Sequence, residues 1–252
     1  MAIITFLSDF GTKDHYVASV KAKMLIENPN AQIIDISHSI TLNNVLEAAF
    51  VLKNVYKDFP EGTVHLIGVN ENQKSDPLVV ELDGHYFISR DTGIFSLISD
   101  NMPTKMVVIP NEKITSFTSK NLFAKVAILL SNGANMDDIG IPANGLNSFK
   151  YPEARVSENE IGGQIMYVDG QGNLISNIKR SQFEIAWGKR NFEVNFEREY
   201  LRVIHDRYTD VDPGDAVCFF NDSDLLEIAI NDGNASKLFG QEYGASVKIY
   251  FR

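Results

Sequence analysis

The chain has 252 residues, 44% hydrophobic and 22% charged, which is ordinary for a globular protein and long enough for one large or two small domains. Its formal net charge of −10 argues against a general affinity for nucleic acid or anionic membrane, because both need basic surface. No stretch approaches the ~18 apolar residues of a membrane span and no signal-peptide pattern opens the chain, so a cytoplasmic location is expected.

In chain order, the apolar run Ile3-Ile4-Thr5-Phe6-Leu7 predicts a strand over residues 2–7. Residues 14–27 place Val17, Val20, Met24 and Leu25 at helical spacing, and Asn28-Pro29 ends that helix. A strand follows over 32–37 and an amphipathic helix over 43–57, then the turn Phe59-Pro60-Glu61-Gly62. Strands are expected at 63–69, 78–82 and 85–90, the last two joined by Asp83-Gly84, a strong hairpin signal. A strand at 105–109 and a helix at 121–131, closed by Asn132-Gly133, complete this part.

From about residue 147 the pattern changes to short alternating runs at 161–168, 183–187, 191–196, 216–220, 225–230 and 246–251. The fold class is therefore α/β: an N-terminal, mainly parallel sheet flanked by helices over residues 1–147, and a C-terminal antiparallel, barrel-like β domain over 159–252. Residues 148–158 read as the linker. The single cysteine, Cys218, lies in an apolar run, cannot form an internal disulfide and reads as a core residue.

The most informative motif is Ser8-Asp9-Phe10-Gly11, directly after the first strand. Ligands of open α/β sheets bind outside the carboxyl ends of strands, where a carboxylate can accept hydrogen bonds from two ribose hydroxyls. The competing reading is that Asp9 caps the following helix. His38 follows the second strand at the same sheet edge. The five histidines show no zinc-binding spacing, and neither a nucleophile elbow nor a phosphate-binding loop is present. The segment from Asp169 to Asn177 reads either as a hairpin turn or as a polar grip in which Asp169 and Asn173 hold a ligand.

Together these segments resemble one family. Leu7-Ser8-Asp9-Phe10-Gly11-Thr12-Lys13-Asp14 matches its N-terminal signature. Ile34-Asp35-Ile36-Ser37-His38, the Glu47–Leu52 stretch, Phe59-Pro60-x-Gly62-Thr63-Val64-His65, Asp169-x-x-Gly172-Asn173-Leu174-Ile175-x-Asn177 and Leu226-Glu227-Ile228-Ala229-Ile230-Asn231-x-Gly233-Asn234 follow in order. The chain is similar to the S-adenosylmethionine hydroxide adenosyltransferases, or S-adenosylmethionine hydrolases, relatives of the fluorinases and chlorinases. The resemblance implies a homotrimer with inter-subunit sites. Its small-molecule ligand is S-adenosylmethionine or another adenosine compound, with no further cofactor and no metal. In that chemistry, hydroxide or halide attacks C5′ and methionine leaves as a thioether. The sulfonium charge activates the leaving group, so the protein supplies alignment and a partly dry pocket. The resemblance assigns ribose binding to Asp9, and substrate contacts to Phe117, Ser119, Asp169, Asn173, Asp222 and Asn231.

The chain departs from the family where the attacking water is handled. The hydrolases use an Asp-Arg-His set; here Asn70 stands at the Asp position, Thr118 at the His position, and no arginine follows in the loop, where Lys74 is the nearby cation. Asn70 cannot stabilise a cationic partner as Asp does, and Thr118 can place a water but not take its proton near neutral pH. Glu71 offers a displaced base, yet a strand neighbour of Asn70 is expected to point the other way. Leu42-Asn43-Asn44-Val45 and Asn221-Asp222-Ser223-Asp224-Leu225 also replace family binding motifs, though Asp222 can still hold an ammonium group. Phe117-x-Ser119 matches the Phe-x-Ser that the halogenases use near the halide, but their long insertion is missing, which ranks a halide reaction low. The expectation is an adenosine-ligand protein whose inherited activity is hydrolysis to adenosine and methionine. The alternatives are a non-catalytic sensor and a purely structural trimer.

Overall fold

The computed structural model describes residues 2–110 and 116–252. The chain forms two compact units, residues 1–151 and 152–252.

The first unit is a seven-stranded sheet in the order β2-β1-β3-β5-β4-β6-β7. Its strands are β1 (Ile4–Ser8), β2 (Ile33–Ser37), β3 (Val64–Gly68), β4 (Pro77–Leu82), β5 (His85–Arg90), β6 (Lys105–Val108) and β7 (Ile141–Pro142). β2, β1, β3 and β5 pair in parallel, and β4, β6 and β7 each pair antiparallel to the strand before them in the order. Five strands therefore run one way, with β4 and β7 reversed. The β4–β5 turn has Asp83 at φ 50° and Gly84 at φ 77°, the left-handed pair a two-residue hairpin requires.

Alternation along the strands feeds a separate apolar layer on each face. Ile4 and Phe6 of β1, with Val64 and Leu66 of β3, pack against α1 (Tyr16–Glu27) and α4 (Ala124–Ser131). Leu7 and Ile67 face the other way, toward α2 (Val45–Lys53) and α3 (Phe95–Ile98). Burial on both faces explains why β1 and β3 read as continuous apolar runs. The helix expected over 43–57 ends at Lys53, because the Asn54 side chain donates to the Phe50 carbonyl at 2.8 Å and a short 3-10 turn, Tyr56–Asp58, follows.

The second unit is an all-antiparallel sheet in the order β12-β11-β15-β9-β10-β14-β13, with β8 paired to β9. Its strands are β8 (Arg155–Val156), β9 (Glu160–Val168), β10 (Leu174–Lys179), β11 (Phe192–Phe196), β12 (Glu199–Leu201), β13 (Ala216–Phe220), β14 (Leu225–Ile230) and β15 (Ser246–Phe251). The end strands β12 and β13 contact each other, so the sheet is a nearly closed barrel around Ile161, Ile165, Leu174, Val194, Ile228 and Ile249. The strand expected at 183–187 is instead a helix, α5 (Arg180–Trp187); a further short helix is α6 (Ala235–Phe239). Gln182 Oε1 accepts from the Lys179 amide at 3.0 Å, and Gly188 ends α5 in the left-handed conformation.

Candidate functional site

β1 is followed by α1 on one face, and β2 by α2 on the other, so the connections diverge between β1 and β3. That divergence is where open α/β sheets take their ligands. Asp9 stands there, just past β1, its amide donating to the Gly68 carbonyl at 3.2 Å. One carboxylate oxygen, Oδ2, accepts from the backbone amides of Asn43 at 2.9 Å and Asn70 at 3.1 Å. Both asparagines are left-handed, at φ 61° and 55°, which turns their N–H groups inward. Asp9 Oδ1 makes no hydrogen bond among the described residues. Asp9 is thus no helix cap: α1 begins at Tyr16 without a side-chain cap.

Beside Asp9, Glu71 turns into the unit rather than away from it. The left-handed Asn70 ends the strand geometry, so the alternation that predicted an outward Glu71 no longer applies. Glu71 Oε1 accepts from the Ser119 amide at 2.8 Å and from the Ser119 hydroxyl. Ser119 is fully buried and opens a π-helical turn, Ser119–Phe123, that runs into α4. Such turns recur at functional sites. Burial raises the Glu71 pKa above the usual glutamate range. The Asp9 charge adds to the rise, while the Ser119 hydrogen bonds and the Arg90 charge oppose it.

Arg90 corrects the expectation that Lys74 is the nearby cation. β5 runs parallel to β3, so its last residue reaches the same sheet edge. The Arg90 guanidinium donates to the Ser75 carbonyl at 2.6 Å and to Thr118 Oγ1 at 3.1 Å. Its Nε is buried without a hydrogen-bond partner among the described residues. Asn70, Glu71, Arg90, Thr118 and Ser119 therefore converge beside Asp9, and Lys74 is exposed.

Phe117 joins an aromatic wall, its ring centroid 5.5 Å from Phe10 and 5.6 Å from Tyr16. Gly68 makes room beneath: a Cβ there would lie 2.7 Å from Ser119 Oγ and 2.9 Å from Phe10 Cζ. His38 is buried, with Nδ1 2.7 Å from Ser8 Oγ and Nε2 3.0 Å from Asp35 Oδ1. It braces the Ser8-Asp9 turn.

In the second unit the four expected residues have differing surroundings. Asp169 Oδ1 accepts from the amides of Gln171 and Asn173, both at 2.9 Å, and Oδ2 accepts from Asn173 Nδ2 at 2.9 Å, so this carboxylate organises its own β9–β10 turn. Asn173 Nδ2 also lies 3.4 Å from the Tyr208 hydroxyl, which donates to the buried Glu227 at 2.5 Å. Asn231 Nδ2 donates to the Val211 carbonyl at 2.8 Å, anchoring a neighbouring loop. Asp222 is exposed in the β13–β14 turn, close enough for its charge to help raise the Tyr208 pKa, after burial and Glu227. Among the described residues, no three His, Cys, Asp or Glu side chains are grouped to hold a metal ion. No described helix is long and apolar enough to cross a membrane.

Models of one protein family match both units of the chain. The SAM hydroxide adenosyltransferase N-terminal domain matches residues 4–140, and the corresponding C-terminal domain matches residues 163–248. An (R)-S-adenosyl-L-methionine hydrolase from Methanocaldococcus jannaschii is 25% identical over 99% of this chain and 96% of its own length. A fluorinase from an Actinoplanes species is 24% identical, covering 98% and 97% respectively. Among solved structures, an uncharacterized conserved protein from Thermotoga maritima superposes with a TM-score of 0.89 at 27% identity, over 98% of this chain and all of that one.

Proposed function

Since the chain belongs to the SAM hydroxide adenosyltransferase family, we propose that it binds S-adenosylmethionine, or a closely related adenosine compound, and hydrolyses it to adenosine and methionine. The observation that carries this reading is Asp9. Two backbone amides fix Oδ2 at the point where the strand connections diverge, leaving Oδ1 for the ribose hydroxyls. A charged acceptor held by backbone needs no reorganisation when the sugar arrives, which aligns C5′ for in-line attack. Phe10, Tyr16 and Phe117 offer an aromatic wall of the kind that favours a sulfonium cation.

Hydrolysis is favoured over halide transfer because the Ser119 amide and hydroxyl, an anion-binding donor pair, already hold Glu71. A halide would have to displace the chain's own carboxylate. A homotrimer is part of the proposal and is checked by light scattering on the purified protein. The second reading, a ligand sensor without turnover, draws on Asn70 and Thr118 standing where the hydrolases have Asp and His. Incubating the protein with S-adenosylmethionine and following adenosine by chromatography, beside calorimetric binding, decides between them. Adenosine above the buffer blank supports the enzyme, and saturable binding without adenosine supports the sensor.

A further inference from the structure

Resting on that reading, we propose that Glu71 is the general base that takes the proton of the attacking water. Arg90, Thr118 and Ser119 complete a water-handling group that stands in for the family's Asp-Arg-His set. The four residues come from three places in the sequence: the loop after β3, the end of β5 and the turn entering α4. Glu71 Oε1 is fixed by the Ser119 amide and hydroxyl, while Oε2 makes no hydrogen bond among the described residues. Thr118 Oγ1 accepts from Arg90 at 3.1 Å, so its own proton is available to a water oxygen. Arg90 has no carboxylate within ion-pair distance among the described residues, and its charge opposes the effect of the neighbouring Asp9 charge on Glu71.

The step balances without a co-reactant. Thr118 holds the water oxygen, which forms a bond to C5′ as the C5′–S bond breaks and its electron pair goes to sulfur. Methionine leaves as a neutral thioether. The water proton goes to Glu71 Oε2 and then to solvent, giving adenosine, methionine and one proton. Burial and the Asp9 charge make Glu71 a stronger base than an exposed glutamate, while Arg90 keeps its ionised form accessible.

A purely structural role for Glu71, capping the turn at Ser119, is separable from this one. Glu71→Gln keeps an oxygen to accept from both Ser119 donors but removes the base. We expect its kcat to fall at least about 100-fold, with the S-adenosylmethionine Kd within about threefold and the unfolding midpoint nearly unchanged. Wild-type kcat should fall on acidification through one ionisation lying above the ordinary glutamate range, and the residual activity of the variant should lack that ionisation. Wild-type kcat and pH profile in Glu71→Gln would overturn the assignment. Binding without turnover by the wild type would overturn it too and leave the ligand reading standing, whereas no binding of S-adenosylmethionine or adenosine would remove both.

Discussion

The backbone amide of Asn70 donates to Asp9 Oδ2 at 3.1 Å, joining the ends of two parallel strands whose residues are 61 apart in sequence. The bond exists because Asn70 adopts φ 55°, which Asn and Gly tolerate and β-branched residues do not. Asn70→Val should cost about 1–2 kcal/mol in urea unfolding and weaken S-adenosylmethionine binding. Asn70→Gly should stay within about 0.5 kcal/mol of wild type and keep its affinity.

Gly68 sets the spacing between Ser119 and Phe10. A methyl group there meets Ser119 Oγ at 2.7 Å and Phe10 Cζ at 2.9 Å, so Gly68→Ala must displace one of them. The expected cost is about 1–3 kcal/mol of stability, typical of overpacking, with a roughly tenfold or larger loss of kcat as the Glu71–Ser119 contact shifts. Denaturant unfolding and the adenosine assay on one preparation measure both.

His65 links stability to pH. It is fully buried, hydrogen-bonded to Thr5 and His85, and burial, with the neighbouring His85, lowers its pKa to about 3. Between pH 6.5 and 3 the unfolded chain therefore binds a proton that the folded chain does not, so stability is complete above pH 6.5 and declines as pH falls. Unfolding free energies measured from pH 7 to pH 4 should drop by a few kcal/mol, and the slope should flatten in His65→Gln.

Cys218 is fully buried in β13, donates to the Val203 carbonyl at 3.3 Å, and burial pushes its pKa up to about 12. A thiol-specific reagent should label the native protein very slowly and react promptly with one thiol per chain in denaturant. Rapid native labelling would contradict the burial of Cys218 in the barrel core.

The parts legible in sequence were those fixed by local pattern. The apolar β1 followed by Asp9, the Asp83-Gly84 hairpin and the helical spacing of Val20 and Met24 each recur in the structure where the residues placed them. What escaped depended on partners distant in the chain. Arg90 was readable as the end of a strand, but only the parallel pairing of β5 with β3 brings it to the site. Strand alternation points Glu71 outward only if it continues past residue 70, and the left-handed Asn70 ends it. In α5, Phe183 and Ile185 alternate with polar residues as in a strand. Phe183 instead stacks on Trp187 one helical turn later at 5.7 Å, leaving Ile185 84% exposed. The Asp169–Asn177 segment reads as a turn or a polar grip, yet β10 begins inside it. Ser176 Oγ donates to the Leu226 carbonyl at 2.9 Å, and Asn177 Nδ2 to the Pro152 carbonyl at 2.7 Å, which makes their burial tolerable.

The measurement that tests the account most directly is calorimetric titration of wild type and Asp9→Ala with S-adenosylmethionine, with Asp9→Asn as control. Losing two charge-assisted hydrogen bonds to the ribose should weaken the Asp9→Ala variant at least about 100-fold. Asp9→Asn, which keeps an acceptor for the Asn43 and Asn70 amides and its fold, should be weakened by about tenfold. Saturable wild-type binding that collapses in Asp9→Ala is the predicted result. Equal affinity in all three proteins, or no binding by the wild type, would contradict Asp9 as the anchor of an adenosine ligand.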